Sequence, residues 1–394
     1  MAVFAAVMTG KGTGAISTIQ LFGDTSETIL KKIFKPAGTK PLVFKLGMVY
    51  LGTIYSGDEL LDQVTVGCEE PDNFAINCHG NPLIVEAIME LLRQHGAKLL
   101  TSDQLLSEIL TAQKTLNAIQ IEAKLTSPKA KTIEGTKILA NQADAGLSRT
   151  ATEWLDKIDS VSLDEITTEA EQILKTSHAA KLIINGCTAV ITGPPNSGKS
   201  TLLNCLSGRE KAIVTDIKGT TRDWISSQCQ IDSLHLNLVD TAGLDEKLTR
   251  QPENTIEKAA QEKTIRILKE SDLLLLILDN SQPYSDIDKN LLDKVAVKKV
   301  LTVLNKSDLP GKLDISRLPV NLTNTVQISA KIGTGIEDLK EKIRQICGCI
   351  DFDLKSAVCF TSRQESLLKE LAVVRSKSKA LSIITELLKG RLHV

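Results

Sequence analysis

The chain has 394 residues, enough for two or three domains with separate hydrophobic cores. Its 47 basic side chains against 48 acidic ones leave a net charge of −1, which excludes a global electrostatic attraction to nucleic acid and leaves any RNA contact to a local patch. The longest apolar run, Leu273–Leu278, is too short to span a bilayer, and Met1–Met8 carries no basic leader, so a cytoplasmic protein without membrane contact is expected. Eight scattered cysteines lack a zinc-type pair of pairs. Cys347-Gly348-Cys349 has no second ligand pair, so reduced thiols outweigh a metal site there.

In chain order, the apolar runs Val3–Met8, Ala15–Leu21 and Met48–Ile54 predict strands. Tyr55-Ser56-Gly57-Asp58 predicts a hairpin turn joining Gly52–Tyr55 to Leu60–Val66. A helix follows from Pro82 to Gln94, with Leu83, Ile84, Ala87, Ile88, Leu91 and Leu92 on one face and Gly96 as its stop. From residue 99 to 181 the pattern is helical, and Thr101-x-x-Gln104 and Ser162-x-x-Glu165 suit capping boxes. Residues 124–150 between them are rich in Lys, Thr and Ala, with Pro128 alone. Residues 182–348 alternate strand and helix, the mark of a parallel-sheet α/β domain. In the tail, Ser362-x-x-Glu365 opens a helix bearing Leu367, Leu368, Leu371 and Val374, and a second apolar helix runs to Leu388.

The fold class expected from this order is multidomain α/β. An α+β domain (1–98) precedes a helical domain split into 99–181 and 349–394, and a phosphate-binding domain with a mostly parallel sheet (182–348) is inserted between the halves.

The inserted region carries the chemistry. Gly193-Pro194-Pro195-Asn196-Ser197-Gly198-Lys199-Ser200-Thr201 follows the apolar strand Thr188–Thr192 and fits the P-loop pattern G-x-x-x-x-G-K-[ST]. Its backbone N–H groups and the following helix N-terminus suit phosphate oxygens, Lys199 reaches the β- and γ-phosphates, and the Ser200 hydroxyl suits Mg²⁺. Asp240-Thr241-Ala242-Gly243 closes the strand Leu234–Val239, supplying an acid near Mg²⁺ and a Gly243 N–H for the γ-phosphate. Asn305-Lys306-Ser307-Asp308 ends the strand Val300–Leu304, where the Asp308 carboxylate can accept two hydrogen bonds from guanine; adenine has no such donor pair. Ser329-Ala330-Lys331 would close over the base. In Gly219-Thr220-Thr221-Arg222-Asp223, Thr221 is placed to complete the Mg²⁺ shell. The P-loop alone implies phosphate binding without naming the nucleotide, each shorter motif is weak alone, and Asn305-Lys306-Ser307-Asp308 by itself could be a surface turn. All five in order, each at a strand end, imply a GTP/GDP site. Leu244 follows Gly243 where many small GTPases place the glutamine that orients water, so hydrolysis must draw on another group or another chain.

With Ile213–Asp223, the P-loop and Asp240–Leu244, the chain resembles the MnmE (TrmE) family of tRNA modification GTPases, from residue 1 to about 375. The resemblance implies a G-domain homodimer formed around K⁺, with Asn196 as a K⁺ ligand and catalytic with Lys199, helped by the loop before Gly219. The catalytic glutamate implied is Glu257, with Glu253 the other candidate and a solvated helix residue the competing reading for Glu257. It further implies wobble-uridine modification of tRNA alongside an MnmG-type flavoprotein. Two departures stand out. Pro71–Cys78 is shortened and Leu100–Lys114 lacks the polar signatures that bind a folate derivative in the family. The chain closes on Leu387–Val394 in place of the family's terminal Cys-Ile-Gly-Lys. A GTP-driven switch acting on RNA or a ribosomal particle without modification, and a nucleotide-binding scaffold, are the alternatives. Cys78 and His79, adjacent on a strand, point to opposite faces and read as packing plus a turn more readily than as a nucleophile–base pair. Trp224 reads as a packing residue before a base-stacking one. Arg375, Lys377, Lys379, Lys389 and Arg391 read as a solvated helix face before an RNA patch.

Overall fold

The computed structural model describes residues 2–10, 12–38, 41–207, 226–240, 270–283 and 299–390. They fall into two compact units, which divide between Ile121 and Glu122.

The first unit is built on seven strands: β1 (Phe4–Val7), β2 (Ile16–Phe22), β3 (Phe34–Pro36), β4 (Val49–Ser56), β5 (Glu59–Glu70), β6 (Asn73–His79) and β7 (Lys98–Leu99). The sheet order is β3-β4-β5-β6-β2-β1-β7. Neighbours are antiparallel except β1 and β7, which run parallel. The expected hairpin closes at Ser56-Gly57-Asp58-Glu59, with Gly57 at φ +62°, a left-handed turn position that glycine adopts without a Cβ penalty. Period-two alternation sends Ile19, Leu21, Val66, Phe74, Ile76 and Cys78 to one face, where they pack with Leu30 of α1 (Ser26–Ile33) and Ile88 and Leu92 of α2 (Pro82–Gln94). Asn81 caps α2, its side chain accepting from the Leu83 N–H at 2.9 Å. Leu83 is 74 % exposed, so it leaves the buried stripe assigned to it; Ile88, Leu91 and Leu92 carry the seat of α2. α3 (Ser102–Ala112) opens on the full Thr101–Gln104 capping box. Its Leu105 packs on Ala6 and Phe22, so the first unit continues well past residue 98.

The unit boundary falls within α4 (Ala118–Thr126). The second unit then contains α5 (Ile133–Asp144), α6 (Leu147–Lys157) and α7 (Leu163–Asn185), and later α10 (Ser362–Ala372) and α11 (Lys377–Lys389). Between these lie β8 (Cys187–Thr192), α8 (Lys199–Ser207), β9 (Ser226–Ile231), β10 (Leu234–Asp240), β11 (Leu273–Asp279), β12 (Val300–Asn305), β13 (Thr325–Gln327) and α9 (Ile336–Cys347). These strands form one sheet of order β13-β12-β11-β8-β10-β9, parallel throughout except the β9–β10 hairpin. β11 and β12 are apolar runs buried along nearly their whole length, as strands covered on both faces must be.

The cap of α10 sits one residue earlier than the sequence spacing indicated. Thr361, not Ser362, accepts from the Gln364 N–H, and Gln364 Oε1 accepts from the Phe360 N–H. Buried Gln364 also donates to Glu122, as do Arg363 and Thr361, and this anchor selects the frame. At Ser162 the hydroxyl accepts from the Glu165 N–H as expected. Among the described residues no helix is long and apolar enough to cross a membrane.

Candidate functional site

The parallel strands β8, β10, β11 and β12 each end on a polar residue: Thr192, Asp240, Asp279 and Asn305. Register brings these ends together, with Asp240 beside Ile191, Leu276 beside Thr192 and Asp279 beside Asn305. The carboxyl edge of such a sheet is where an open α/β fold binds ligands, because loops and helix N-termini converge there.

Gly193 leaves β8 at φ +144°, where a Cβ would overlap the Ile277 carbonyl oxygen of β11. Gly198 enters α8 at φ +95°, with Asn305 Nδ2 in the space a Cβ would need. Between them Asn196 is left-handed at φ +60° and exposed. This path wraps the P-loop around the N-terminus of α8 and leaves backbone N–H groups at the positive end of that helix. Lys199, buried to 9 % exposure, donates to the Gly193 and Pro194 carbonyl oxygens at 3.0 and 2.9 Å, which folds its ammonium across the loop. Ser200 Oγ donates to Asp240 Oδ2 at 3.4 Å, so the helix hydroxyl and the buried carboxylate at the end of β10 converge. Two adjacent hard oxygen donors of this kind suit Mg²⁺. Thr201 is exposed on the first turn of α8.

Asn305 ties the loops together. Its Nδ2 donates to the Ser197 carbonyl oxygen at 2.9 Å, and its Oδ1 accepts from the Ala330 N–H at 3.0 Å. The segment after β13 is held close by the Ile328 N–H on the Leu304 carbonyl and the Ser307 N–H on the Ile328 carbonyl. Fully buried Ser329 donates from Oγ to Asp308 Oδ1 at 2.6 Å. That bond holds the Asp308 carboxyl below its ordinary range, an ionised, exposed acceptor. Lys331 is exposed beside it and adds a favourable charge.

One pair was missed in the sequence. Lys306, at φ +64°, reaches back to Asp279 with Nζ 2.6 Å from Oδ2, while Ser281 donates from its N–H and hydroxyl to Oδ1 at 2.9 and 2.6 Å. Burial pushes the Asp279 carboxyl up, but the bonds from Lys306 and Ser281 outweigh it and hold it low. The available signal was that β11 ends on an acid in register with Asn305.

The structure thus brings together Gly193, Asn196, Ser197, Gly198, Lys199, Ser200, Asp240, Asn305, Lys306, Asp308, Ser329 and Ala330 around one sheet edge. Thr221, Gly243, Leu244, Glu253 and Glu257 lie outside the described residues, as does Trp224. Cys78 is buried and its thiol pushed up to about 11 by burial, whereas His79 is exposed with Nδ1 2.6 Å from Asp62 Oδ1, so the two residues do not pair. Cys187 and Cys347 face each other in the core at 3.9 Å between sulfurs, and among the described residues no group of three or more His, Cys, Asp or Glu side chains is placed to hold a metal ion.

A P-loop on β8, an acid at the end of β10 and an Asn-Lys-x-Asp turn on β12 define a P-loop GTPase. The family described as 50S ribosome-binding GTPase matches residues 188–306, and the family described as GTP-binding protein TrmE N-terminus matches residues 3–102. The tRNA modification GTPase MnmE of Enterococcus faecalis is 32 % identical over 380 residues, covering 87 % of this chain and 80 % of that protein. Its counterpart in Bacillus subtilis is 32 % identical over 384 residues, covering 88 % and 82 %. Among solved structures, the G domain of the T. maritima FeoB iron transporter aligns at 26 % identity and a TM-score of 0.31, over 41 % of this chain and 98 % of that one. The chain belongs to the MnmE family of tRNA modification GTPases. It is a GTP-binding, GTP-hydrolysing enzyme.

Proposed function

We propose that the chain hydrolyses GTP at the carboxyl edge of the second sheet, in a K⁺-assisted G-domain dimer, and couples that hydrolysis to wobble-uridine modification of tRNA with a flavoprotein partner. The observation that carries the site is Asn305, which joins the P-loop at Ser197 to the base loop at Ala330 beside an ionised Asp308. In this reading the phosphates lie along the N–H groups of Gly193–Ser200, and Lys199 exchanges the Gly193 and Pro194 carbonyls for β- and γ-phosphate oxygens. Asp308 accepts from guanine, and the backbone at Ser329–Lys331 closes the base edge.

Ser200 and Asp240, with Thr221, would hold Mg²⁺. When bound, that ion neutralises charge on the β- and γ-phosphate oxygens. Asn196, left-handed and exposed on the loop, is the ligand for K⁺, which would spread charge on the phosphoryl group in the role an arginine finger plays elsewhere. With Leu244 where a water-orienting glutamine would stand, Glu257 is the residue assigned to water. GTP turnover by the full chain should be faster in KCl than in NaCl, and Asn196→Ala should erase the difference. Equal rates in the two salts would remove K⁺ from the mechanism.

A second reading, a GTP-driven RNA switch without one-carbon chemistry, is favoured by one observation. In the stretch 100–114, Leu105, Ile109 and Ala112 pack with Ala6 and Phe22, using apolar cover where the family resemblance places a polar folate site. Calorimetry with 5-formyltetrahydrofolate separates the two: measurable binding supports modification, and normal GTP turnover without it supports the switch.

A further inference from the structure

The nucleotide-binding part of the second unit joins the helices at two points, and a cysteine stands at each. Cys187 is the first residue of β8, just after α7, and Cys347 is the last residue of α9, before the chain returns to α10. The two sulfurs lie 3.9 Å apart, in contact, and both residues are buried. Each cysteine has a glycine of positive φ on its outer side, Gly186 at +83° and Gly348 at +71°. Those glycines end the helices: the Gly186 N–H bonds the Leu182 carbonyl of α7, and the Gly348 N–H bonds the Gln345 carbonyl of α9. Gly348 is exposed and Gly186 half-buried, so each thiol sits one residue in from the surface. The residue beside each cysteine is held as well, with the Thr188 N–H on Asp272 Oδ2 at 2.8 Å and Lys299 Nζ on the Ile346 carbonyl at 3.1 Å. A hydrogen bond from the Cys187 thiol, helped by the Lys299 ammonium, holds Cys347 below the ordinary thiol range, whereas burial pushes nearby Cys349 up to about 12.

We propose that Cys187 and Cys347 are a redox-sensitive pair whose oxidation to a disulfide ties together the two connections between the nucleotide-binding domain and the helices. The sulfurs have to close by about 1.9 Å to reach the ~2.05 Å of the bond, a movement the flanking glycines can absorb. The oxidant is a peroxide. The Cys347 thiolate attacks one peroxide oxygen and breaks the O–O bond, which gives a sulfenic acid and, once the departing hydroxide takes the Cys347 proton, water. The Cys187 sulfur then displaces hydroxide from that sulfenic sulfur, and this hydroxide leaves as a second water with the Cys187 proton. The two thiols together lose two electrons, and one hydrogen peroxide is reduced to two waters. A dithiol reverses the step by exchange. The nucleotide edge lies at the other end of β8, where Thr192 leads into Gly193, so the bond leaves that site alone. It joins residues 160 apart in sequence, so it strongly restricts the unfolded chain.

The test takes the reduced full chain, treats it with excess hydrogen peroxide, alkylates the remaining thiols in denaturant and maps the tryptic peptides by mass spectrometry. The expected product joins Leu182–Lys199 to Gln345–Lys355 and disappears on treatment with dithiothreitol. It should persist in Cys349→Ala and be absent from Cys347→Ala, which separates the two thiols of the second peptide. In urea the linked protein should unfold at a higher midpoint, with an unfolding constant about 100-fold smaller than that of the reduced protein. Peroxide-treated Cys187→Ala should show no such shift, and its GDP affinity should match that of peroxide-treated wild type. Alkylated Cys187 and Cys347 after peroxide overturn the proposal, and so does a link through Cys349 in place of Cys347. That peptide map needs only the wild-type chain, so it decides the matter even where a variant fails to fold. An unchanged urea midpoint in the linked protein, or a GDP affinity that falls only when Cys187 is present, overturns the placement of the bond at the two connections.

Discussion

The two sheets of this protein handle polar residues in opposite ways. In the first unit, polar side chains satisfy one another across the sheet: Gln20 donates to Glu69 and Asn73, Thr18 to Asn77, Asn77 to Thr65, and His79 meets Asp62. In the second, polar side chains gather at one edge and bond across loops, as Asn305, Ser329, Lys306 and Ser200 do. A saturated lattice holds strands in register, whereas a network that ties one loop to the next sets the shape of a pocket. The parallel topology explains the difference, because every β-to-α crossover returns a loop to the same edge.

Lys199→Ala breaks the comparison most severely if the site lies elsewhere. It should cost about 100-fold or more in GTP affinity, since several charge-assisted bonds to phosphate go with it, and retained affinity by titration contradicts the site. Gln20→Ala probes the other sheet. It should lower stability by about 1–2 kcal/mol in urea unfolding, because a buried amide with two partners is lost, and leave GDP affinity alone. A change in nucleotide affinity there would show that the two regions do not divide the work as described.

The smallest effect concerns pH. Glu365, bonded to Lys181 and to Lys369, is held down at about 2. A carboxyl lowered in the folded state adds stability that is complete above its unfolded value, about 4.3, and is lost as pH falls through about 2. Glu365→Gln should therefore flatten the fall in the urea midpoint between about pH 4.3 and pH 2, and an unchanged slope would contradict the pairing.

The nucleotide edge was largely legible in the sequence because its chemistry is local. A P-loop needs glycines at fixed offsets, and Gly193 and Gly198 occupy the left-handed positions the backbone requires. Asn305 and Asp308 stand three residues apart on one turn, so spacing alone places them. Asp279 was not legible, because its partner is 27 residues away and is brought near only by the β11–β12 register. The cap of α10 was displaced by one residue for the same reason, since Glu122, far back in the chain, selects Gln364. Leu83 was assigned to the apolar face by periodicity, but in the first turn of α2 it is Ile84 and Val85 that pack against the core while Leu83 stays exposed. The first sheet was legible as strands and a hairpin, and its side-chain lattice was not, because cross-strand pairs depend on register.

The central claim is that Asp308 reads guanine at the end of β12. The most direct measurement is kcat/KM of the full chain and of Asp308→Asn for GTP and XTP. Replacing the carboxylate by an amide presents xanthine with a donor and guanine with a mismatch, so the variant should lose GTP by about 100-fold or more and gain XTP. An Asp308→Asn protein that still hydrolyses GTP like the wild type would contradict the account.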